Sequence, residues 1–325
     1  MAMGAMTAGT RMRLAHRFED LLPNSTDPAK GRLRAKLVNL LNTQGEIIPA
    51  ASTTLGKLWG LVNSQNSSID ECEEVIKLDA ALTSRIFRVA NSAAYNARAT
   101  DISEGLRFIG FRTLREMVFN ATVLQQFSSL KVPQGWDVFW LRNIFIARLS
   151  DRIAGTYFQP DGSEYLAGLI HDIGWLFLAT HFQDEFAAII TSELPVAEAE
   201  KKVLPFSHAN IAAAIAARSA MPLKAVDGIA YHHKQMLMTQ STLVAPNQNP
   251  LFLGIILAVC DRIADGCQLD VFGKQAPTAE ELAESPEIVW LKNYGKKLDL
   301  ENMAADELVK SEEIFTAFFT EPAKV

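Results

Sequence analysis

The sequence predicts an all-α protein on three observations. From Asp27 onward apolar residues recur at helical spacing, helix caps and stops flank those runs, and no stretch alternates apolar and polar residues long enough to argue a strand. The first run, DPAKGRLRAKLVNLLNTQG, offers Asp27 as a cap, an early Pro28, Leu33, Leu37, Leu40 and Leu41 on one stripe, and Gly45 as a stop. SSIDECEEVIKL opens on Ser68 with acids in its first turn, as the helix dipole prefers. DAALTSRIFRVANSAAY places Leu82, Ile86 and Val89 on one face, with Asn91 predicted to hold the turn that follows. In FRTLREMVFNATVLQQF, Thr113 and Glu116 have capping-box spacing. WDVFWLRNIFIARLSDRIAG, HANIAAAIAARSA, PLKAVDGIAYHH, PLFLGIILAVCDRIADG and ADELVKSEEIFTAFF complete the predicted helices.

KVPQG, at 131–135, breaks the chain between long helices. The expected organisation is a flexible segment 1–27, a domain 28–267 and a C-terminal helical extension 268–325. Within the domain, 28–130 forms an N-terminal helical layer and 136–267 a second layer. APNQNP, at 245–250, reads as a surface loop.

The 325 residues are 49% hydrophobic with a formal net charge of -6, enough apolar mass for a large core. No Lys/Arg cluster is present, which argues against a nucleic-acid partner. The longest uncharged apolar run, PLFLGIILAVC, is shorter than the about 20 residues a membrane span needs. The N-terminus lacks the apolar core of a signal peptide. Cys72, Cys260 and Cys267 form no CxxC pair and suit a reducing compartment. The expected location is therefore cytoplasmic.

Four places put metal-ligand residue types into apolar helices: His171-Asp172 in GLIHDIG, His208 in LPFSHAN, His232-His233 in AYHH, and Asp261 in LAVCDRIAD. Neutral imidazole and carboxylate are the donors that Zn, Mn, Fe and Ni sites use. Adjacent residues on a helix point about 100° apart. A His-Asp doublet can thus grip one ion only where a helix ends, and Gly174 is a candidate for that end. Structural readings stand beside this one. The doublet fits a satisfied core pair, and His208 fits a helix cap beside Ser207. One imidazole of the YHH pair is expected to face a cleft and the other solvent. Asp261 fits a surface pair with Arg262 or Arg152. His16 and His181 read as surface histidines, and Trp136, Trp140 and Trp175 as core.

The order of these elements resembles the HD superfamily of metal-dependent phosphohydrolases, and more closely its HDOD branch. The resemblance runs over about residues 45–265. Its most specific parts are DAAL followed by RVANSAAY, and ISEGLRFIGFRTLREMV, similar to the branch's IxxAlrxLGxrxLrxlv element. It implies an all-helical HD-like bundle with an added N-terminal layer. It also implies a bacterial regulatory or signalling role, with most members not being enzymes. As a metal site it implies His171, Asp172, His208, His232, His233 and Asp261. Two departures mark a degenerate cleft. The W-x-x-H imidazole is Asn143 in WLRN, and the lysine of HDxGK is Trp175 in HDIGW. The functional expectation is a non-catalytic signal-transduction protein partnered by other signalling proteins. At most one weakly held divalent ion (Mn, Fe, Ni, Zn or Mg) is expected as cofactor. The alternative is a metal-dependent phosphohydrolase acting on a nucleotide or cyclic dinucleotide.

Overall fold

The computed structural model describes residues 18–44, 53–64, 66–95, 98–233, 246, 251–272, 277–292 and 296–319. The predicted stop at Gly45, His16, and the 245–250 loop apart from Pro246 lie outside them. Among the described residues the structure is helix and turn with no strand, as the periodicity predicts.

Helices α2 (Thr54–Val62), α3 (Ile69–Ile76), α4 (Ala80–Ala90) and α5 (Ile102–Gln126) pack on one another as an N-terminal layer. Their starts are local in origin. Ser68 and Glu71 form a reciprocal capping box on α3, and Asp79 accepts from Leu82 N to open α4. Asn91 closes α4 as expected: its side chain accepts from Ala99 N at 2.8 Å and donates to Ala99 O at 3.2 Å.

Thr113 and Glu116 do not form the predicted capping box. Gly110, at φ 73 and ψ 169, interrupts α5 three residues before Thr113, in a conformation only glycine adopts without strain. The second half of α5 therefore begins at Phe111. The Thr113 hydroxyl instead meets Tyr95 Oη at 3.3 Å. Glu116 is buried and pairs with Arg148 and, at 3.3 Å, with Arg112. A buried guanidinium needs a carboxylate more than a helix start needs a second cap.

The second layer is built on α6 (Phe139–Ala154), which packs on α7 (Ser163–Ile170) and α13 (Phe252–Gly266). Around it lie α8 (Ile173–His181), α9 (Gln183–Ile190), α10 (Val196–Val203), α11 (His208–Arg218) and α12 (Leu223–Tyr231). Helix α1 (Pro28–Gln44), grouped with the N-terminal layer by the sequence reading, sends its long hydrogen bonds to this second layer. Lys30 Nζ donates to Lys201 O at 2.8 Å, and Arg218 donates to Asn42 Oδ1 at 3.0 Å.

Short helices α14 (Ala279–Ala283) and α15 (Pro286–Lys292) lead to α16 (Leu300–Phe319). Helix α16 packs against both α6 and α4, so it touches both layers. Its Glu307 is buried and accepts from Arg148 Nε at 2.7 Å and Arg152 Nη1 at 3.1 Å. All three cysteines are free thiols. No helix among the described residues is long and apolar enough to cross a membrane.

Candidate metal centre

The apolar run that looks like one helix in sequence is two. α7 ends at His171 and α8 starts from Asp172, whose φ of -102 and ψ of 4 turn the chain. The doublet is itself the helix break, so both side chains leave helix ends toward one space. Gly174 is not that end. It lies inside α8, where a Cβ would come within 2.1 Å of His208 O and 2.7 Å of His208 C. Its missing side chain lets the first residue of α11 reach the doublet.

We expect Gly174→Ala to push His208 outward. Overpacking of this kind costs about 1–3 kcal/mol, and misplacing a ligand should weaken ion retention by about 10-fold or more. Urea unfolding and metal content after dialysis would show both. A variant with parental retention removes Gly174 from the support of the site.

All six predicted metal-ligand residues come together. Asp172 Oδ1 lies 3.3 Å from His208 Nε2 and 3.8 Å from His232 Nε2, and Asp172 Oδ2 lies 3.4 Å from His171 Nε2. His171 Nε2 also faces Asp261 Oδ1 at 3.2 Å. His208 Nε2 and His233 Nε2 are 3.0 Å apart. Both imidazoles of the YHH pair therefore face the cluster, not one. Adjacent positions can do this because α12 ends at Tyr231, leaving His232 and His233 past its last full turn. His171, Asp172, His208 and His232 are buried, Asp261 is half-buried and His233 is exposed.

Three of the four imidazoles are locked by their other nitrogen. His171 Nδ1 bonds Gly168 O at 2.7 Å, His232 Nδ1 bonds Ile229 O at 2.6 Å, and His208 Nδ1 bonds Glu200 Oε1 at 3.0 Å. Each carries its proton outward at Nδ1 and aims Nε2 inward, the arrangement that orients metal-ligating histidines. Ser207 performs the capping of α11, accepting from Asn210 N at 3.2 Å, which leaves His208 free for the cluster.

Charge follows geometry. Burial would raise the Asp172 carboxyl, but the His171, His208 and His232 imidazoles beside it hold it well below the usual carboxylate range. Burial also opposes charge on His208, yet Glu200 and Asp172 beside it raise its pKa to about 10. The His233 residue is exposed overall, but its ring packs on His208 and His232; loss of water there, then repulsion from those rings, pushes it well below the ordinary imidazole value. A divalent ion would compete with protons for these inward ring nitrogens.

The donor set fits an ion. Ligand atoms of Asp172, His208, His232 and His233 all lie within 4.8 Å of one another. A tetrahedral ion with ligands about 2.0–2.1 Å away spaces them about 3.3–3.4 Å apart. Asp172 Oδ1 and His232 Nε2 are buried with no hydrogen-bond partner among the described residues, an expensive arrangement for a site meant to hold nothing.

Both departures are buried. Asn143 is fully buried on α6, and neither of its amide atoms has a hydrogen-bond partner among the described residues. Trp175 is buried and lies flat on His208, ring centroids 4.3 Å apart, with Trp136 and Phe272 at its edges. Trp136 and Trp140 are core, as expected. His181, half-buried at the end of α8, stays out of the cluster.

Asp261 pairs with neither Arg262 nor Arg152. Its Oδ1 accepts from Arg142 Nη2 at 3.0 Å, because α6 and α13 pack together and point both residues at the cluster. Arg152 is engaged with Glu307 and Asp306, and Arg262 lies by Glu287. Sequence reasoning missed Arg142 and Glu200. Arg142 was detectable as a charge inside an apolar helix, beside Asn143. Nothing in AEAEKKV singles out Glu200.

An all-helical body whose helix break presents a His-Asp doublet to further histidines defines the HD-like class. The chain belongs to the HDOD domain family, whose profile matches residues 48–235, more than half of it. A Treponema pallidum protein of uncharacterised function is 24% identical over 200 residues, 57% of this chain. The chain covers only 37% of that relative's length. Among solved structures, an HDOD domain protein of unknown function from Geobacter sulfurreducens superposes with a TM-score of 0.66 at 21% identity, covering 88% of this chain and 98% of that one. A Shewanella amazonensis protein provisionally named a phosphohydrolase gives 0.63 at 20%, covering 86% and 98%. A Marinobacter aquaeolei protein provisionally named a signal transduction protein gives 0.61 at 17%, covering 92% and 68%. At these identities the structures share the fold.

Proposed function

We propose that the protein is a non-catalytic regulatory HDOD protein of the bacterial cytoplasm that acts on other signalling proteins. Its Asp172, His208, His232 and His233 hold one divalent ion that ties α8, α11 and the end of α12 together. When bound, such an ion can polarise a phosphoryl oxygen and lower the pKa of water. Phosphodiester cleavage also needs positive charge aimed at the developing phosphate charge. The observation that carries the reading is Trp175. The position at which the resemblance calls for a lysine holds a buried indole stacked on His208. Among the described residues, the arginine at the cluster, Arg142, is bound to Asp261 and Asp265. The membership in the HDOD family and the provisional name of the Marinobacter structure support a signalling role.

The second reading, a metal-dependent phosphohydrolase, is favoured by the donor set itself, three Nε2 atoms and a carboxylate. One assay separates the two. The purified protein is supplied with Mn, Mg, Ni or Fe(II) and offered cyclic dinucleotides, nucleotides and an aryl phosphodiester. We expect background rates throughout. Turnover above about 1 per second, the low end for enzymes, that disappears in Asp172→Ala establishes the hydrolase instead.

A further inference from the structure

We propose that the cluster is built for one ion and not two, because the guanidinium of Arg142 occupies the charge position that a second ion would need beside Asp261 and His171. The inference rests on the ion-holding part of the reading above.

The donor atoms fall into two overlapping groups. One is Asp172, His208, His232 and His233; the other is His171, His232 and Asp261. His232 belongs to both. Asp172 spans them, with Oδ1 toward His208 and Oδ2 toward His171. Taken alone, that layout offers room for two cations side by side.

The second group is already supplied with one. Asp261 Oδ1 is the oxygen that faces His171 Nε2, and the same atom accepts from Arg142 Nη2 at 3.0 Å. Arg142 is also fixed by three further contacts: Asp265 Oδ1 at 2.8 Å, Leu269 O at 3.2 Å and Asp261 O at 3.3 Å. Its side chain is 8% exposed, so the guanidinium has no solvated alternative to swing into. Arginine cannot give up its proton as lysine or histidine can, so this charge is permanent. A divalent ion at the second group would lose the undivided use of Asp261 Oδ1 and face a fixed cation across it.

The first group differs in kind. Among the described residues no Lys or Arg pairs with Asp172, and the cations there are imidazoles, which an ion displaces by taking their protons' place. With three imidazoles and one carboxylate it suits borderline ions such as Zn, Fe(II), Co or Ni ahead of Mg.

Cobalt(II) titration of the metal-free full chain tests this, because Co(II) reports low-coordinate nitrogen and oxygen donors by its visible absorption. The parent is expected to saturate at one equivalent. Asp261→Asn should still bind that equivalent, with affinity changed by less than the about 10-fold that even an outer-shell partner of a metal ligand carries. Arg142→Met should bind a second equivalent. Should Arg142→Met fail to fold, Arg142→Gln, which keeps hydrogen bonds and removes the charge, takes its place with the same expected second equivalent.

Two equivalents in the parent would leave the ion site standing and overturn the role of Arg142. So would a single equivalent in both Arg142 variants, or loss of the first ion in Asp261→Asn. No bound cobalt in the parent overturns the ion site itself, and this inference with it.

Discussion

Asp172→Ala is expected to lose the ion and to destabilise the metal-free protein as well. The carboxylate faces three imidazoles within 3.8 Å: His171, His208 and His232. Removing a direct ligand should cost at least the upper end of the 10–100-fold that supporting groups carry. The metal-free effect has a separate origin. His171 and His208 are both buried and both held above the ordinary imidazole value, despite burial, by acidic neighbours that include Asp172. Without it, both buried imidazoles lose countercharge, and breaking a buried pair by removing one partner costs about 3–5 kcal/mol. Metal content after dialysis reads the first effect and urea unfolding of chelated protein reads the second. Asp172→Asn keeps the shape and loses the charge, so it should share the ion loss with a smaller stability loss. Parental ion retention in both variants would falsify the coordination set.

The second large effect lies away from the cluster. Arg148→Met should destabilise by about 3–5 kcal/mol at neutral pH, the cost of stranding buried charges. Arg148 joins α6 to two acids from other parts of the fold, Glu116 on α5 and Glu307 on α16, and all three side chains are at most 5% exposed. Methionine fills much the same volume but leaves two carboxylates facing each other. Burial already holds Glu116 above the usual carboxylate range, against the pull of Arg148 and Arg112. An acid whose folded pKa is raised takes up a proton on folding, so stability falls as pH rises through that pKa. Removing Arg148 raises Glu116 further. The deficit should therefore be larger at pH 8 than at pH 5. Adding Glu116→Leu and Glu307→Leu removes the stranded charges and should recover much of the loss. A stability within about 1 kcal/mol of the parent for Arg148→Met alone, the ordinary effect of a single substitution, would show that the cluster relaxes or hydrates.

The helical class was legible because it is carried by local signals: apolar stripes, Ser68 as a cap, Asn91 as a turn clamp. The convergence of His171, Asp172, His208 and Asp261 was legible only through motif order, since no local rule brings residues 90 apart together. What escaped was set by tertiary partners. Whether Thr113 caps a helix depends on Gly110 three residues earlier in the same element and on Arg148 from another. Whether His232 or His233 faces inward depends on where α12 stops, and element ends are the least certain feature of any sequence reading. The partner of Arg142 is set by α13, which places Asp261 opposite it.

Helix α16 has a consequence for how the molecule is made. Glu307 meets Arg148 across 159 residues of chain, and the same helix leans on α4 still further upstream. Domains emerging from the ribosome generally fold from the N-terminal side. Here the two layers can form while the chain grows, but the guanidinium between them waits for an acid synthesised much later. Until it arrives, Arg148 pairs among the described residues with Glu116, and the surface that α16 covers on α4 and α6 stays wet. Closing that contact demands a long loop, the kind of non-local step that slows folding. Nascent chains lacking α16 are thus expected to be the species that chaperones meet, with an apolar seam between layers as the handle.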